Sequence, residues 1–381
     1  MKIVFINDRI YAYATGAPSA AGGAERQQWL LARALAARGW SVSVGLRGPL
    51  QEGAHILIDG VKFCGIGQGQ ILASWSRFFA SEQPDFWYWR CASHLFGFGV
   101  ALAKLNGIRS VFAAGFDRDV KVREALYERP RWWPAYAIGL SAADRIVVQH
   151  GGQFAELPRR WQRKAHIVPS IALGVNTSRP HAERPQQVAW IATLRQPKRP
   201  DLLVEVARRV PHVRFVVCGD VTTFMTPPGY GERMVQLFRS TPNIDYRGQV
   251  SPEEALLITA ESALLLSTAD EEGFPNTFLE AWTHGTPVVS LTIDPDRVIS
   301  LRGLGAVCPN VDQAATMVAE LLRHPESRDA MAHRACDHVA SAHSEATAVA
   351  AFERALNGRN LNIPESGEPA PQSSVSADSF R

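Results

Sequence analysis

Two carboxylates in one short stretch are the residues best suited to do chemistry. Glu272 and Glu280 bracket the seven residues Gly-Phe-Pro-Asn-Thr-Phe-Leu. The Gly-Phe-Pro bend before an apolar run predicts a helix start, where free backbone N–H groups and the positive end of the helix dipole attract phosphate. Carboxylates accept paired hydrogen bonds from vicinal hydroxyls, as a ribose or a hexose offers. The pattern therefore favours a site for a nucleoside diphosphate joined to a polyol.

A structural role for the second carboxylate is the alternative. Thr277 and Glu280 have the spacing of a capping box, in which the glutamate reaches back to the threonine N–H. Gly285 and Pro287 then predict the end of the helix, and residues 288–291 predict a strand. Capping and ligand binding are both open at this point, and the two can coexist in different ligand states.

The size and composition of the chain indicate two globular domains. Its 381 residues exceed one ordinary core, with 46% hydrophobic and 20% charged residues. The five cysteines are scattered without a Cys-x-x-Cys pair, which favours buried thiols in a reducing compartment over zinc or disulfides. Residues 1–7 predict a core strand rather than a signal peptide, and no apolar run approaches the ~20 residues of a membrane span. We therefore expect a cytoplasmic protein, able to lie on the inner face of the membrane.

The charge is distributed unevenly along the chain. Residues 1–172 carry 21 Lys and Arg against 12 Asp and Glu, a charge of +9, so the remainder carries −6 within the net charge of +3. A basic N-terminal half favours an anionic partner or surface. Nucleic acid is excluded as that partner, because no basic run or recognised binding motif accompanies the excess.

Apolar runs alternate with helical stretches through both halves of the chain, which indicates parallel sheets covered on both faces. The fold class is therefore α/β, with two Rossmann-like domains facing an interdomain cleft. A polar stretch with two prolines, residues 174–185, marks the linker. The predicted units are an N-terminal domain 1–173, a C-terminal domain 186–340, a last helix 341–356 and a disordered tail 357–381. The predicted strands are 2–6, 41–46, 86–89, 110–114, 145–149, 166–170, 188–192, 214–218 and 263–267, and the predicted helices include 24–38 and 200–209.

Glu-Gly-Phe-Pro-(x)4-Glu-Ala-(x)3-Gly-x-Pro-Val-Val closely resembles the signature of retaining family 4 glycosyltransferases of the GT-B fold. The resemblance extends over residues 1–356 and implies transfer of a hexosyl unit from a nucleoside diphosphate sugar to a hydroxyl acceptor. It implies a glycan or lipid-linked glycan as that acceptor, in polysaccharide or glycolipid biosynthesis, and a final helix that crosses back onto the N-terminal domain. It also implies that Glu280 binds the ribose hydroxyls and Glu272 the donor sugar. The backbone that would hold sugar and phosphates is that of Gly273, Phe274, Pro275, Asn276 and Thr277.

Two further segments correspond to donor-site segments of that family. Gly22 and Gly23 follow the first strand and open a helix, so their amides can approach a ligand closely. Lys198 matches the family lysine that neutralises the diphosphate leaving group, a large catalytic contribution. The position of the family arginine holds Thr193, and Arg195 lies two residues later. Either Arg195 replaces that arginine, or one phosphate contact is missing.

The sequence carries weaker signals for an acceptor site and for a metal site than for the donor site. Many members of that family have a histidine near Ala114, and this chain has none there. Asp117 and Asp119 are the candidates to replace it, with Asp117 our acceptor-side candidate and a solvated loop acid the alternative. A donor phosphate oxygen can act as the base in a retaining reaction. Asp117-x-Asp119 and Asp294-x-Asp296 match the manganese motif of another glycosyltransferase fold, but a helix-end diphosphate site needs no metal. We expect no cofactor and no metal, with the nucleotide sugar as co-substrate.

Two basic clusters interleaved with aromatic residues predict contact with an anionic membrane surface. The alternative for both is a solvated helix face over buried aromatic residues. The first cluster comprises Arg118, Lys121, Arg123, Arg129 and Arg131 with Tyr127, Trp132 and Trp133, and the second Arg159, Arg160, Trp161, Arg163 and Lys164.

Two rival functions are also open: another GT-B enzyme, such as a nucleotide-sugar epimerase or hydrolase, and a non-catalytic nucleotide-sugar-binding scaffold.

Overall fold

Two β-sheets, each covered by helices on both faces, form the two domains of the chain. The computed structural model describes residues 1–17, 22–172 and 179–358, and the structural statements below refer to these. The predicted disordered tail lies almost entirely outside the described residues, as does the first part of the predicted linker. The two-domain α/β fold expected from the sequence is confirmed.

The N-terminal sheet contains eight strands in the described part of the chain, in the order β3-β4-β2-β1-β5-β6-β7-β8. All neighbours are parallel except β3 and β4. Asp59 and Gly60 join these two, both with positive φ, because an Asp-Gly turn matches the twist of a hairpin. The expectation of parallel pairing is therefore wrong at this edge. The strands are β1 (Lys2–Ile6), β2 (Ser41–Leu46), β3 (His55–Ile58), β4 (Val61–Gly65), β5 (Phe86–Arg90), β6 (Arg109–Ala113), β7 (Arg145–Val148) and β8 (Ala165–Ile167).

Helices cover this sheet with two apolar layers. One layer packs α2 against one face of the sheet, and the other packs α3, α4 and α5 against the opposite face. A short 3-10 turn, Asp117–Val120, follows β6. The helices are α1 (Arg9–Ala14), α2 (Gly23–Ala37), α3 (Ile71–Glu82), α4 (Phe96–Leu105), α5 (Trp133–Ala142), α6 (Gly151–Glu156) and α7 (Arg159–Gln162).

The C-terminal sheet has six parallel strands in the described residues, in the order β11-β10-β9-β12-β13-β14. The predicted helix 200–209 and strand 214–218 match the observed bounds. The strands are β9 (Gln187–Ile191), β10 (Arg214–Cys218), β11 (Ile244–Gly248), β12 (Leu264–Ser267), β13 (Val288–Ser290) and β14 (Gly305–Val307). The helices are α8 (Pro200–Arg209), α9 (Tyr230–Arg239), α10 (Pro252–Glu261), α11 (Asn276–Thr283), α12 (Val298–Arg302), α13 (Val311–Arg323) and α14 (Pro325–Ala342).

The last helix, α15 (Glu345–Leu356), packs on the N-terminal domain rather than on the domain that precedes it. Phe352 is fully buried, and its ring meets Tyr88 of β5 edge-on at 5.8 Å between centroids. Arg145 of β7 donates from Nε to the carbonyl oxygen of Ala355 at 2.8 Å. The chain therefore crosses between the domains twice, and α15 completes the N-terminal core.

Candidate functional site

The loop after β12 carries Glu272 into the cleft, and α11 follows it. Helix α11 begins at Asn276 with Pro275 at its N-cap position, where no side chain caps it. Thr277 therefore lies inside the first turn, and the capping box predicted as the alternative does not form. Phe278 and Trp282 are fully buried and anchor the opposite face of α11 in the domain core. Glu280 is left to interact across the cleft.

The N-terminal ends of α2 and α11 meet in the cleft. Gly22 precedes α2 with φ +104°, and a Cβ placed on Gly23 would lie 2.2 Å from the Asn276 Nδ2 atom. Glycine is required at this close approach. Gln27 Nε2 donates to Asn276 Oδ1 at 2.7 Å and to the carbonyl oxygen of Ile171 at 2.8 Å. The positive ends of two helix dipoles thus face one another, which favours an anionic group between them.

Glu280 is ion-paired with Arg26 from the opposite domain. Arg26 lies in the first turn of α2, and its guanidinium donates to the Glu280 carboxylate. The two side chains are only 14% and 12% exposed. Burial lowers the pKa of Arg26 from its usual range. The carboxylate that the sequence analysis assigns to ribose is therefore buried and paired with a long-chain cation from the opposite domain.

Lys198 is ion-paired with Glu272. Lys198 belongs to the loop after β9, and its ammonium contacts the Glu272 carboxylate, with side chains 14% and 13% exposed. Thr268 Oγ1 donates to the Lys198 carbonyl oxygen at 2.8 Å, which ties this loop to the one that carries Glu272. Burial and the neighbouring Arg195 guanidinium lower the pKa of Lys198. These two predicted site residues are brought together.

Arg195 occupies a different environment. Its guanidinium lies over Phe116 of the N-terminal domain at 5.5 Å and over Phe224 at 5.9 Å from the ring centroids. Its Nε is buried without a hydrogen-bond partner in the described part of the chain, and burial lowers its pKa. Thr193 is exposed in the same loop. Arg195 thus sits between aromatic rings of both domains instead of joining the Lys198–Glu272 pair.

Gly273 and Phe274 pack directly on the N-terminal domain. A Cβ on Gly273 would lie 2.2 Å from Gln149 Oε1 and 2.6 Å from the carbonyl oxygen of Gly115. The Phe274 N–H donates to the same Gln149 oxygen at 3.3 Å, and its ring is tilted by 50° to that of His343, with 4.7 Å between the centroids. Gln149 was not identified from the sequence, because a glutamine after a strand carries no motif of its own.

Asp117 lies beside Glu272 and forms a polar cluster with His150. The Asp117 carboxylate is 3.0 Å from His150 Nε2 and accepts from Gln153 Nε2 at 3.0 Å. Burial alone would lower the pKa of His150, but hydrogen bonds to Asp117 and Asp296 raise it to about 9. A histidine that follows β7, rather than one in the loop after β6, therefore lies beside Asp117.

The remaining aspartates of the two Asp-x-Asp motifs have structural partners. Asp119 is buried and accepts hydrogen bonds from three backbone N–H groups. Asp294 accepts from the N–H of Ile299 at 2.7 Å at the start of α12. Asp296 accepts from the N–H groups of Gly151 and Gly152 at 2.8 and 2.9 Å. In the described ranges no cluster of three His, Cys, Asp or Glu side chains is arranged to hold a metal ion.

Comparison with known proteins agrees with this architecture. Two Rossmann-like domains that face a cleft define the GT-B class, and this chain has that fold. Residues 185–324, which lie in the C-terminal domain, match the family described as Glycosyl transferases group 1.

Relatives and solved structures extend the likeness to most of the chain. The D-inositol 3-phosphate glycosyltransferase of Mycolicibacterium paratuberculosis is 28% identical over 221 residues, 56% of this chain and 48% of that protein. The chain thus spans about half the length of this curated relative. Sucrose-phosphate synthase from Thermosynechococcus elongatus superimposes with a TM-score of 0.76 at 16% identity, covering 94% of this chain and 100% of that one. Anabaena HepE in complex with UDP-glucose gives 0.72 at 14% identity, covering 94% and 100%.

Proposed function

We propose that this protein is a retaining glycosyltransferase that moves a hexosyl unit from a nucleoside diphosphate sugar to a hydroxyl acceptor. The observation that carries the proposal is the site at the start of α11. There Glu272 and Glu280 flank a helix N-terminus and face the cations Lys198 and Arg26. Glu272, Glu280 and Lys198 lie within the segment that matches the Glycosyl transferases group 1 family. The UDP-glucose complex of HepE, which shares the fold, supports a donor of this class.

Each donor group has a matching protein group. The ribose hydroxyls would bind Glu280, and the hexose hydroxyls would bind Glu272, because each carboxylate accepts two parallel hydrogen bonds. The diphosphate would lie at the N-terminus of α11, where the N–H groups of Asn276 and Thr277 have no intrahelical partner. Lys198 would exchange Glu272 for the β-phosphate as the leaving group gains charge.

The proposed reaction breaks the bond between the anomeric carbon and the β-phosphate oxygen. The acceptor hydroxyl attacks the same face of the sugar, and its proton passes to the departing phosphate oxygen, so the products are the glycoside and the nucleoside diphosphate. Lys198 and the positive end of α11 would stabilise the charge on that oxygen without a metal ion. Asp117, whose N–H donates to the Glu272 carbonyl oxygen, would contact the acceptor from the N-terminal domain.

We propose a glycan or lipid-linked glycan as the acceptor, in polysaccharide or glycolipid biosynthesis at the cytoplasmic face of a membrane. The described part of the chain has no helix long and apolar enough to cross a bilayer. The second basic cluster is not suited to insertion, because Trp161 is buried and Lys164 donates to the carbonyl oxygens of Ser141 and Ala143. Membrane contact would therefore fall to another part of the N-terminal domain.

That part is the exposed face of α4 and α5 with the preceding loop, here termed the α4–α5 face. Its apolar side chains Phe98, Leu105, Tyr127, Trp133 and Ile138 are between 37% and 85% exposed. The exposed cations Lys121, Arg123, Arg129 and Arg131 belong to the segment before α5, and the guanidinium of Arg123 lies 5.3 Å from the centroid of the Trp133 ring, which supports contact with an anionic bilayer. Apolar rings and long basic side chains on one surface are typical of proteins that rest in the headgroup region.

The first experiment is calorimetry with UDP, GDP, ADP and their sugar conjugates, on the wild type and on Glu280→Gln. We expect one nucleotide to bind, with an affinity at least tenfold lower in the variant. Because Glu280→Gln also removes the ion-pair partner of Arg26, the melting temperatures of both proteins are compared to detect any loss of stability. The preferred donor is then incubated with glycan and glycolipid acceptors, and NMR of the product is expected to show the donor's anomeric configuration. Binding without turnover on any acceptor would indicate a scaffold. Turnover without an acceptor would indicate an epimerase or hydrolase.

A further inference from the structure

We propose that Arg26 is a donor-binding residue that exchanges Glu280 for the diphosphate of the nucleotide. In the structure its guanidinium holds the Glu280 carboxylate across the cleft. When ribose hydroxyls occupy Glu280, the guanidinium moves to the phosphates at the start of α11. This inference rests on the proposed donor site and assigns to it a cation from the N-terminal domain.

The position of Arg26 means that its guanidinium has only a short distance to move between Glu280 and the phosphate position. Arg26 lies three residues after Gly23, which packs against Asn276 at the N-terminus of α11. Glu280 follows Asn276 by one helical turn, so the two positions are separated by about 6 Å along the same face. A flexible arginine side chain that reaches Glu280 also reaches the phosphate position by changing rotamer.

The charges around Arg26 favour the exchange. Its side chain is 14% exposed, and a buried cation that loses its partner is strongly destabilised. The nearest acid on its own helix, Glu25, is already 3.8 Å from Arg9. Burial lowers the pKa of Arg26, with Tyr13 and Glu253 opposing that shift. A diphosphate would supply the missing negative charge, and a guanidinium fork fits phosphate oxygens bidentately.

The proposal also accounts for Thr193. The resembled family has an arginine at this position, whereas here the side chain is an exposed threonine and Arg195 lies between Phe116 and Phe224. Arg26 supplies the second cation from the opposite wall of the cleft, opposite Lys198. Because that wall belongs to the N-terminal domain, donor binding and domain contact become one event.

The test is calorimetry on wild type and Arg26→Gln with the preferred nucleoside, its monophosphate and its diphosphate. Glutamine retains a hydrogen bond to Glu280 but not the charge. We expect the diphosphate affinity to fall about tenfold to a hundredfold, as for loss of one charged hydrogen bond, while the nucleoside binds equally or more tightly. Arg118→Gln is the matched control, because it breaks another interdomain Arg–Glu pair of the described residues, that of Arg118 with Glu271 in the loop before α11.

A second variant makes the assignment specific. Thr193→Arg in the Arg26→Gln background is expected to restore at least tenfold of the lost diphosphate affinity by placing a guanidinium in the Lys198 loop. An equal rise in the affinities for nucleoside and diphosphate in Arg26→Gln would overturn the proposal, because Arg26 would then only compete with the ligand for Glu280. An equal loss for all ligands, matched by Arg118→Gln, would reduce it to a domain contact. Failure of every nucleotide to bind the wild type would instead refute the proposed function.

Discussion

The backbone N–H of Asp117 donates to the carbonyl oxygen of Glu272 at 3.2 Å, so the N-terminal domain holds the donor loop by its main chain. Arg118, the next residue, forms a bidentate ion pair with Glu271, the preceding residue of that loop. A main-chain contact of this kind is insensitive to side-chain identity. The position of Glu272 therefore depends on the contact between the domains as much as on its own sheet.

Gly273→Ala is predicted to separate the domains without unfolding them. The added Cβ would lie 2.6 Å from the carbonyl oxygen of Gly115 in the other domain, and backbone atoms cannot move aside cheaply. We expect donor affinity to fall by an order of magnitude or more, together with a larger radius of gyration by small-angle scattering. Gly69→Ala is the control, since its φ is not positive and the nearest atom to its Cβ position is Ser74 Oγ at 4.0 Å. An unchanged scattering curve and donor affinity would contradict the predicted clash.

Substitutions of Lys198 and Glu272 are predicted to have non-additive effects on the free energy of unfolding, and Lys198 is predicted to have an additional effect on kcat. Breaking a buried ion pair leaves one charge uncompensated, so Lys198→Gln or Glu272→Gln is expected to lower the free energy of unfolding by about 3 kcal/mol. The double variant should recover most of that loss in urea denaturation. Lys198→Gln should also lower kcat by roughly 10²–10³-fold, as when a stabiliser of transition-state charge is removed. Additive stability losses in the double variant would show that the pair is not coupled.

His150 is predicted to make stability decline at alkaline pH. Its pKa is raised to about 9, so the stabilisation is complete below pH 6.5 and is lost as pH rises through 9. The partners Asp117 and Asp296 are 43% and 49% exposed, so solvent screening limits the effect to about 1–2 kcal/mol. Urea denaturation between pH 6 and about 10 should show this decline in the wild type. The decline should be absent in His150→Gln, and an equal decline in both proteins would assign it to other groups.

His338 is predicted to make stability decline at acid pH. Both its ring nitrogens are buried without partners in the described residues, and burial, with His343 and Arg302, lowers its pKa to about 4. The unfolded chain therefore binds the proton first, and stability is lost as pH falls from 6.5 towards 4. His338→Phe should flatten this part of the pH profile and raise the free energy of unfolding at neutral pH by about 1 kcal/mol. A steeper acid slope in the variant would contradict this assignment.

The α4–α5 face is predicted to bind anionic vesicles. Leu105→Asp and Ile138→Asp place negative charge on side chains that are 85% and 67% exposed, so we expect little change in folding and loss of sedimentation with phosphatidylserine vesicles. Leu301→Asp is the matched control, because Leu301 is 69% exposed on the C-terminal domain. Equal sedimentation of all variants, or no sedimentation of the wild type, would refute the proposed contact of the α4–α5 face with a membrane.

The sequence predicted the elements whose signals are local. Pro200 at a helix start and Gly219 after a strand delimit residues 200–218, and the observed elements match. Strand β8 is shorter than the predicted strand 166–170, because Pro169 lacks the N–H that a strand ladder requires. The antiparallel edge at β3 depends on the two-residue turn Asp59-Gly60, a signal separate from the alternation of apolar runs and helices that indicates parallel strands.

The site was predictable in its carboxylates and not in their partners. Glu272 and Glu280 stand in one ordered motif and Lys198 in a second segment, and each of the three forms a buried ion pair. Arg26 is 254 residues from Glu280, and nothing in helix 24–38 shows which of its polar side chains faces another domain. His150 was overlooked for the same reason, since its role depends on the neighbouring strand order. Tertiary proximity of this kind has no local pattern.

The crossing of α15 has a consequence for synthesis on the ribosome. The N-terminal sheet is complete once residue 167 has been made, but its core also includes Val349, Phe352 and Leu356. Domains usually fold in order from the N-terminus. Here the first domain must wait, with an apolar groove open beside α2 and β7, while the whole second domain is translated. The nascent chain is thus most exposed to aggregation in its earliest part, and the addition of α15 ends that exposure.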